Sequence, residues 1–221
     1  MEVLSNGTFK MTDNDYNIET EADKVSYGLG LQLGNQIMQQ SFPGFSLDAL
    51  LVGVKDIHAN QPCRFSDEEM QQAFATINQM VKAQADAAGT ENQQAGDAFL
   101  AENTQKEGVI TTASGLQYEI LVAGDGPKPA ESDTVVTHYH GMLVDGTVFD
   151  SSVDRGEPAQ FPVNGVIQGW IEALQMMPVG SKWRLTVPPQ LAYGEHGSGP
   201  VIGPQSTLIF EVELLAIAGD S

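Results

Sequence analysis

The spacing of apolar residues changes near Thr111, and this change constrains the fold more than any other feature of the sequence. Before Thr111 apolar residues recur every three or four positions, and after it they alternate with polar residues, as in the run from Leu116 to Val122. Helical spacing places apolar side chains on one face of a helix, whereas alternation is typical of a strand with one buried face. The sequence therefore predicts an α+β protein. Its N-terminal half is all-α, and residues 110–221 form an antiparallel sheet that packs on one short helix near 166–177.

Helices are predicted in three segments of the N-terminal half. The first covers 23–41 and carries one apolar stripe, formed by Val25, Leu29, Leu33 and Ile37. Ser46 begins the second helix, and Ser66 begins the third, because Ser66 and Glu69 match a capping box. An unbroken third helix over 66–107 would be roughly 60 Å long, and a solvated helix of that length usually connects two domains.

The predicted helical region 23–82 is too small to bury its own apolar faces. We expect it to form an intertwined homodimer module with a second copy of the chain. Gly30 and Gly34 lie one turn apart beside the apolar stripe. Glycine weakens a helix, so this pair favours a close approach by another helix. The alternative is a small helical cap that folds back on the C-terminal half.

The charge of the chain argues against several classes of partner. It has 29 acidic and 10 basic residues and a formal net charge of −19. A nucleic-acid binder needs a basic surface, so no nucleic acid and no anionic membrane is expected as a partner.

Residues 1–22 are polar and are expected to be disordered. They carry no signal-peptide pattern, and no apolar run is long enough for a membrane span, so a cytoplasmic location is expected. The single cysteine, Cys63, allows no intrachain disulfide and is expected to be reduced and partly buried.

The residues of the C-terminal half do not match the pattern of a covalent or metal-dependent enzyme. His138 and His140 alternate on one predicted strand without a third ligand nearby, so we expect solvated surface histidines and no metal. Apolar and aromatic residues instead occur in the segments that separate the strands, as with Phe149, Trp170 and Tyr193. From the residues alone, an aromatic-walled cleft and an ordinary core both remain open.

Several motifs in this half resemble the FKBP family in order and spacing. They are HYHGMLVDGTVFDSSVDR (138–155), VIQGW (166–170), MPVGSKWRLTVPP (177–189), LAYGEHG (191–197) and TLIFEVELL (207–215). With the helical N-terminal half and GLQYEIL (115–121), the whole chain resembles the bacterial Mip-like, 22-kDa homodimeric branch of FKBP-type peptidyl-prolyl cis/trans isomerases.

The resemblance implies an isomerase that needs no cofactor and accelerates proline-limited protein folding. It also implies chaperone-like binding of unfolded or partly folded proline-containing chains by a homodimer, and inhibition by the macrolides tacrolimus and rapamycin. The alternative function is a non-catalytic chaperone or binding module with the same fold.

The resemblance also assigns site residues. Catalytic positions match Tyr139, Phe149, Asp150, Ile167, Trp170, Tyr193 and Phe210, and substrate-binding positions match Arg155, Val166, Val201 and Ile202. In that arrangement Trp170 forms the floor of the pocket, and the Ile167 N–H and the Tyr193 hydroxyl bind substrate carbonyls. Asp150 lies near the proline carbonyl and is positioned by Tyr139 and Arg155.

The sequence departs from the best-known single-domain members of the family at three places. Ala159 stands at an aromatic wall position, Ser198 stands where a loop histidine is usual, and the segment before Trp170 is two residues shorter. Ala159 is expected to open one wall of the pocket.

Overall fold

The computed structural model describes residues 17–39 and 41–219, which belong to two compact units, Met1–Ile77 and Asn78–Ser221. Disorder was predicted for residues 1–22, and residues 1–16 of that segment lie outside the described residues. Helix α1 (Glu21–Gln39) begins two residues before the predicted boundary at 23. Thr20 explains this start, because its hydroxyl accepts a hydrogen bond from the Asp23 N–H at 3.1 Å and its own N–H donates to the Asp23 carboxylate at 2.9 Å.

The other two helix starts of the first unit follow the predicted caps. Helix α2 (Leu47–His58) begins after Ser46, whose hydroxyl accepts from the Ala49 N–H at 3.2 Å. Helix α3 (Asp67–Asn103) begins after Ser66. There the Ser66 N–H donates to the Glu69 carboxylate at 2.8 Å, and the Glu69 N–H donates to the Ser66 hydroxyl at 3.2 Å. The expectation of a partly buried Cys63 was wrong, since its side chain is exposed in the chain.

Helix α3 is the predicted long connecting helix and has 37 residues. It ends at Asn103 rather than near 107, because a turn over 104–107 leads into Gly108, whose φ of +84° glycine adopts without strain. Residues 78–103 of α3 belong to the second unit. Among the helices that the structure describes, none has the length and hydropathy needed to cross a membrane.

The second unit contains the antiparallel sheet that the alternating pattern predicted. Its strands within the described residues are β1 (Val109–Thr111), β2 (Gln117–Val122), β3 (Thr134–Leu143), β4 (Val148–Ser151), β5 (Ala159–Pro162), β6 (Lys182–Val187) and β7 (Leu208–Ile217). The order across the sheet is β1-β2-β6-β7-β3-β4, and β5 pairs with β3. The C-terminal strand β7 therefore lies in the middle, between β6 and β3.

The two faces of this sheet carry different kinds of residue. One face packs on helix α5 (Gln168–Met176), whose Trp170 and Leu174 are buried with Leu185 and Val212 of the central strands. A one-turn helix, α4 (Ser152–Arg155), follows β4 and was not predicted. The opposite face presents Gln117 and Thr186, and the C-terminal part of α3 covers it.

The contact between α3 and this face is polar and close. The Asn103 side-chain amide donates to Gln117 Oε1 at 2.9 Å and lies 3.4 Å from the Thr186 hydroxyl. One helical turn earlier, the Gln117 amide donates to the Leu100 carbonyl at 3.0 Å. The last turns of α3 are therefore part of the sheet domain.

Candidate active site

A cleft of about 720 Å³ lies at the N-terminal end of helix α5. Its walls are formed by residues of strands β3, β4, β5 and β7 and of the start of α5. The loops that contain Tyr193 and Val201 complete them. The lining residues are Tyr139, Phe149, Asp150, Phe161, Gly165, Val166, Ile167, Trp170, Tyr193, Ser198, Gly199, Pro200, Val201, Ile202 and Phe210. The cleft is thus predominantly apolar, with few polar groups to orient a ligand.

The Trp170 ring, in the first turn of α5, lies at the centre of the aromatic residues of the cleft and is 3% exposed. Its centroid lies 5.5 Å from that of Tyr139, 5.8 Å from that of Phe161 and 5.3 Å from that of Phe210, with interplanar angles of 80° to 87°. Phe149 meets Phe210 at 5.5 Å in the same edge-to-face manner. Edge-to-face contacts fix the relative orientation of the rings, so the pocket is preformed.

Two glycines make room for these rings. A Cβ at Gly141, on β3, would lie 2.7 Å from the Phe149 ring and 3.0 Å from the Phe210 ring. A Cβ at Gly169 would lie 2.5 Å from Val187 Cγ1, so glycine allows the start of α5 to approach β6 closely. Both are positions where a side chain would displace the wall or the floor of the cleft.

Tyr139, Asp150 and Arg155 form a hydrogen-bonded group at one side of the cleft. The Tyr139 hydroxyl and the Arg155 guanidinium both donate to the Asp150 carboxylate, and Arg155 Nη2 also donates to the Tyr139 oxygen at 2.9 Å. Helix α4 brings Arg155 back towards Asp150. It is capped by the Ser151 hydroxyl and is followed by Gly156, which has a φ of +76°.

The ionisation states of this group follow from its contacts. Burial of the Asp150 carboxyl opposes its ionisation, but the hydrogen bonds from Tyr139 and Arg155 outweigh burial and lower the pKa of Asp150. Burial of the phenol, followed by its hydrogen bond to Asp150, raises the pKa of Tyr139. The hydrogen bond to Asp150 raises the pKa of Arg155. At neutral pH the group is therefore a carboxylate and a guanidinium bridged by a neutral phenol.

Two hydrogen-bond donors at the cleft are available to a ligand. Ile167 precedes α5, and its carbonyl accepts from the N–H groups of Trp170 at 2.9 Å and Ile171 at 3.1 Å. Within the described residues, the Ile167 N–H and the Tyr193 hydroxyl have no hydrogen-bond partner, and Tyr193 is 42% exposed. An extended chain lying in the cleft could accept hydrogen bonds from both.

The cleft contains ten of the eleven predicted site residues. Arg155 does not line it and contacts Asp150 and Tyr139 from outside. Phe161 was missed. Ala159 does not line the cleft, and the expectation that it opens one wall stays a prediction. Phe161 follows Ala159 by two positions on β5, so both face the core, and it is Phe161 that reaches the cleft. The period of two along this strand was the available signal. The roles of the individual residues stay predictions.

His138 and His140 are half-buried rather than solvated, which corrects the expectation for them. Their Nδ1 atoms lie 3.1 Å from the Ser152 hydroxyl and 3.0 Å from the Ser151 hydroxyl. The two histidines thus contact the turn that carries Arg155. Within residues 17–39 and 41–219, no group of three or more histidine, cysteine or acidic side chains has a geometry that could hold a metal ion.

Comparison with known proteins covers both halves of the chain. Residues 126–215 match the family model described as FKBP-type peptidyl-prolyl cis-trans isomerase. Residues 22–120 match the model described as the domain amino-terminal to FKBP-type peptidyl-prolyl isomerase. The two matches meet between residues 120 and 126, near the end of β2.

Individual relatives match over most of their length. The FKBP-type 22 kDa peptidyl-prolyl cis-trans isomerase of Escherichia coli (strain K12) is 49% identical over 90% of this chain and 97% of its own. The outer membrane protein MIP of Legionella longbeachae is 42% identical over 90% of this chain and 87% of its own. The crystal structure of FkpA from Escherichia coli has a TM-score of 0.65 and 37% identity, over 91% of this chain and 98% of that one. The chain therefore belongs to the FKBP-type peptidyl-prolyl cis-trans isomerases that carry the family's helical N-terminal domain.

Proposed function

We propose that this protein catalyses cis/trans isomerisation of X–Pro bonds in unfolded or partly folded chains and so accelerates proline-limited folding. The observation that carries the proposal is the preformed aromatic cleft with Trp170 at its floor and two free donors, the Ile167 N–H and the Tyr193 hydroxyl, at its edge. A proline ring fits an apolar floor, and the donors can hold the carbonyls on either side of it.

Such a cleft needs no covalent step. Rotation about a peptide bond has a barrier of about 18–20 kcal/mol, because resonance between the carbonyl and the nitrogen must be broken. In the twisted transition state the carbonyl is less polar than in the planar ground state. An apolar pocket therefore binds the twisted form better, and each 1.36 kcal/mol of that difference is about a tenfold gain in rate. The Tyr193 hydroxyl and the Ile167 N–H would hold the flanking chain while the bond turns.

The role proposed for Asp150 is electrostatic. The carboxylate stays ionised beside Arg155 and lines the cleft, where it can face the rotating carbonyl carbon. Tyr139 and Arg155 fix the position of the carboxylate, so this orientation costs nothing during the reaction.

The proposal is tested with the full chain on two substrates. We expect faster cis/trans exchange in a short proline peptide, followed without a coupling protease, and a faster proline-limited phase in the refolding of a model protein. Tacrolimus or rapamycin should abolish both effects, because their binding is proposed to occupy the same cleft. The competing function, a non-catalytic binding module, predicts retention of unfolded chains with unchanged exchange rates on both substrates.

We also propose that the first unit forms a homodimer with a second copy and that the dimer binds unfolded chains. Apolar side chains along α1 and α2 are exposed in the single chain, among them Leu29 at 56%, Leu33 at 59% and Val54 at 58%. In a monomer these apolar side chains stay in contact with water. Burial against a partner would remove them from water and stabilise the protein. Identical helices carry identical stripes, so a second copy matches this surface.

The cellular location stays a prediction. The cytoplasm is the proposed location. One relative is named an outer membrane protein. Fractionation of the source cells, with an antibody against the second unit, would test it directly.

A further inference from the structure

The loop over 198–206, here called the rim loop, forms one side of the cleft. Its first part lines the cavity and is closed by a short pair of hydrogen bonds. The Ser198 N–H donates to the Ile202 carbonyl at 2.8 Å, and the Ile202 N–H donates to the Ser198 carbonyl at 3.3 Å. Val201 is 41% exposed, whereas Ile202 is 8% exposed. The position of the rim loop therefore decides where these two side chains meet a bound chain.

The second part of the rim loop, 203–206, has an uncommon backbone conformation. Gln205 has a φ of +55°, in the left-handed region that residues other than glycine rarely adopt. Such a conformation persists only where the surroundings hold it. One contact comes from the loop beside Tyr193, because the Gln205 N–H donates to the Gly194 carbonyl at 2.8 Å.

The other contact comes from helix α3, far away in the sequence. The Asn92 side-chain amide donates to the Pro204 carbonyl at 2.8 Å, across 112 positions of chain, and lies 3.4 Å from the Ser206 hydroxyl. That hydroxyl in turn donates to the Gly203 carbonyl at 2.9 Å. Asn92 thus bonds directly to Pro204 and reaches Gly203 through Ser206.

The backbones approach closely around this hydrogen bond. A Cβ at Gly89, one turn before Asn92, would lie 3.3 Å from Pro204 Cβ. A Cβ at Gly203 would lie 2.9 Å from Asn92 Nδ2. Glycine at both positions lets α3 and the rim loop meet, so the amide of Asn92 reaches the backbone without an intervening side chain.

We propose that Asn92 is a positioning residue for the isomerase site. It holds Pro204 and so fixes Val201 and Ile202 at the side of the cleft, although it lies outside the cleft itself. This inference rests on the proposed function. Asn92 does not reach Trp170 or Asp150, so its effect is on the binding of the chain around the proline and not on the rotation. Weaker binding that is equal in the ground state and the transition state raises KM and leaves kcat unchanged.

The test compares variants of the full chain in a protease-free peptide assay. Asn92→Ala removes the donor, and Asn92→Asp keeps the shape but places a carboxylate against the Pro204 carbonyl. The loss of one hydrogen bond predicts a KM that is about three- to tenfold higher for both variants, with kcat within about twofold of the original. The control is Gln93→Ala, at an exposed neighbouring position of the same helix, which should leave KM and kcat unchanged.

A second measurement separates this inference from the proposed function. Amide hydrogen exchange of Ile202 should become faster in both Asn92 variants and stay unchanged in Gln93→Ala. If the unsubstituted chain has no isomerase activity, the proposed function is overturned. The Ile202 exchange rate then still tests the role of Asn92. If the Ile202 amide exchanges at the same rate in the Asn92 variants, the positioning role is overturned. It is also overturned if the unsubstituted chain is active and the Asn92 variants have the same KM. A fall in kcat at constant KM overturns it as well, because it indicates a loss of folded enzyme or of the rotation step.

Discussion

At the scale of single residues, the group formed by Tyr139, Asp150 and Arg155 places a charge in a predominantly apolar cleft. The Asp150 carboxylate accepts hydrogen bonds from both Tyr139 and Arg155, so it is held in one orientation. A neutral amide at position 150 would keep the shape but lose the charge that Arg155 balances.

We expect Asp150→Asn to lower kcat/KM by about three- to tenfold, since hydrogen bonds to charged groups are stronger than those between neutral groups and this one is partly solvated. The measurement is the protease-free peptide assay. Asp154→Asn is the control, because Asp154 lies on the neighbouring turn, is exposed and does not line the cleft. Full activity of Asp150→Asn would limit the role of Asp150 to ordering Tyr139 and Arg155.

The same group predicts how activity depends on pH. The pKa of Asp150 is lowered from its ordinary value of 3.8, so its charged contacts are present above that value and are lost only as the pH falls through the lowered pKa. The pKa of Tyr139 is raised from 10.0, so the phenol keeps its proton through the neutral range. We expect kcat/KM to be constant between about pH 5 and about pH 9. A step in that range that disappears in Asp150→Asn would contradict this assignment.

Residue identities were predictable to different degrees. Trp170, Tyr193 and Phe210 stand in motifs with fixed spacing, so the resemblance located them in the cleft. Phe161 was missed because β5 has only four residues, so its period of two rests on Ala159 and Phe161 alone and is a weak signal. Asn92 could not have been found from the sequence, since an asparagine on a polar helix has no pattern that indicates a partner 112 positions away.

At the scale of elements, the contact between α3 and the sheet depends on a missing side chain. Gly96 is buried in α3, and a Cβ there would lie 2.3 Å from the Thr207 hydroxyl and 3.1 Å from Thr207 Cβ. Alanine would strengthen an isolated helix by about 1 kcal/mol over glycine. The overlap with a buried residue at the start of β7 outweighs that gain.

We therefore expect Gly96→Ala to lower the melting temperature of the second unit by several degrees, which corresponds to about 1–2 kcal/mol of overpacking. Tryptophan fluorescence reports this unit, because Trp170 and Trp183 both belong to it. The double variant Gly96→Ala, Thr207→Ala removes the hydroxyl overlap and should recover part of the loss. A higher melting temperature for Gly96→Ala alone would mean that Thr207 moves aside without cost.

Secondary structure was predicted best where local chemistry decides it. The starts of α2 and α3 were found from their caps, because a cap is a contact between residues three positions apart. The end of α3 and the short strand β5 were not found. The helix ends before a turn over 104–107 whose Gly108 was not recognised as a stop signal. Strand β5 depends on a non-local contact, its pairing with β3.

At the scale of the whole molecule, the first unit carries an apolar surface that stays exposed among the residues that the structure describes. Leu33 is 59% exposed on the stripe of α1. The dimer proposal predicts that this stripe is buried against a second copy, where an acidic side chain would be desolvated without a counter-charge.

Leu33→Glu should therefore convert the dimer into a monomer in light scattering or sedimentation. Gln32→Glu, an exposed neighbour on α1, adds the same charge and should leave the dimer intact. Activity on a short peptide should not change in either variant, because each cleft is formed within one chain, whereas the binding of unfolded proteins should weaken in Leu33→Glu. A Leu33→Glu chain that stays dimeric would contradict the proposed surface.

The central place of β7 in the sheet has a consequence for how this protein is made. Strand β7 ends at Ile217, yet it lies between β6 and β3 and carries Phe210 of the cleft wall. During synthesis, β3 and β6 leave the ribosome before the strand that joins them, so the cleft cannot close until β7 has emerged. A catalyst of folding built in this way would become active only after β7 has paired with β6 and β3, and fragments that lack β7 would have no partial activity.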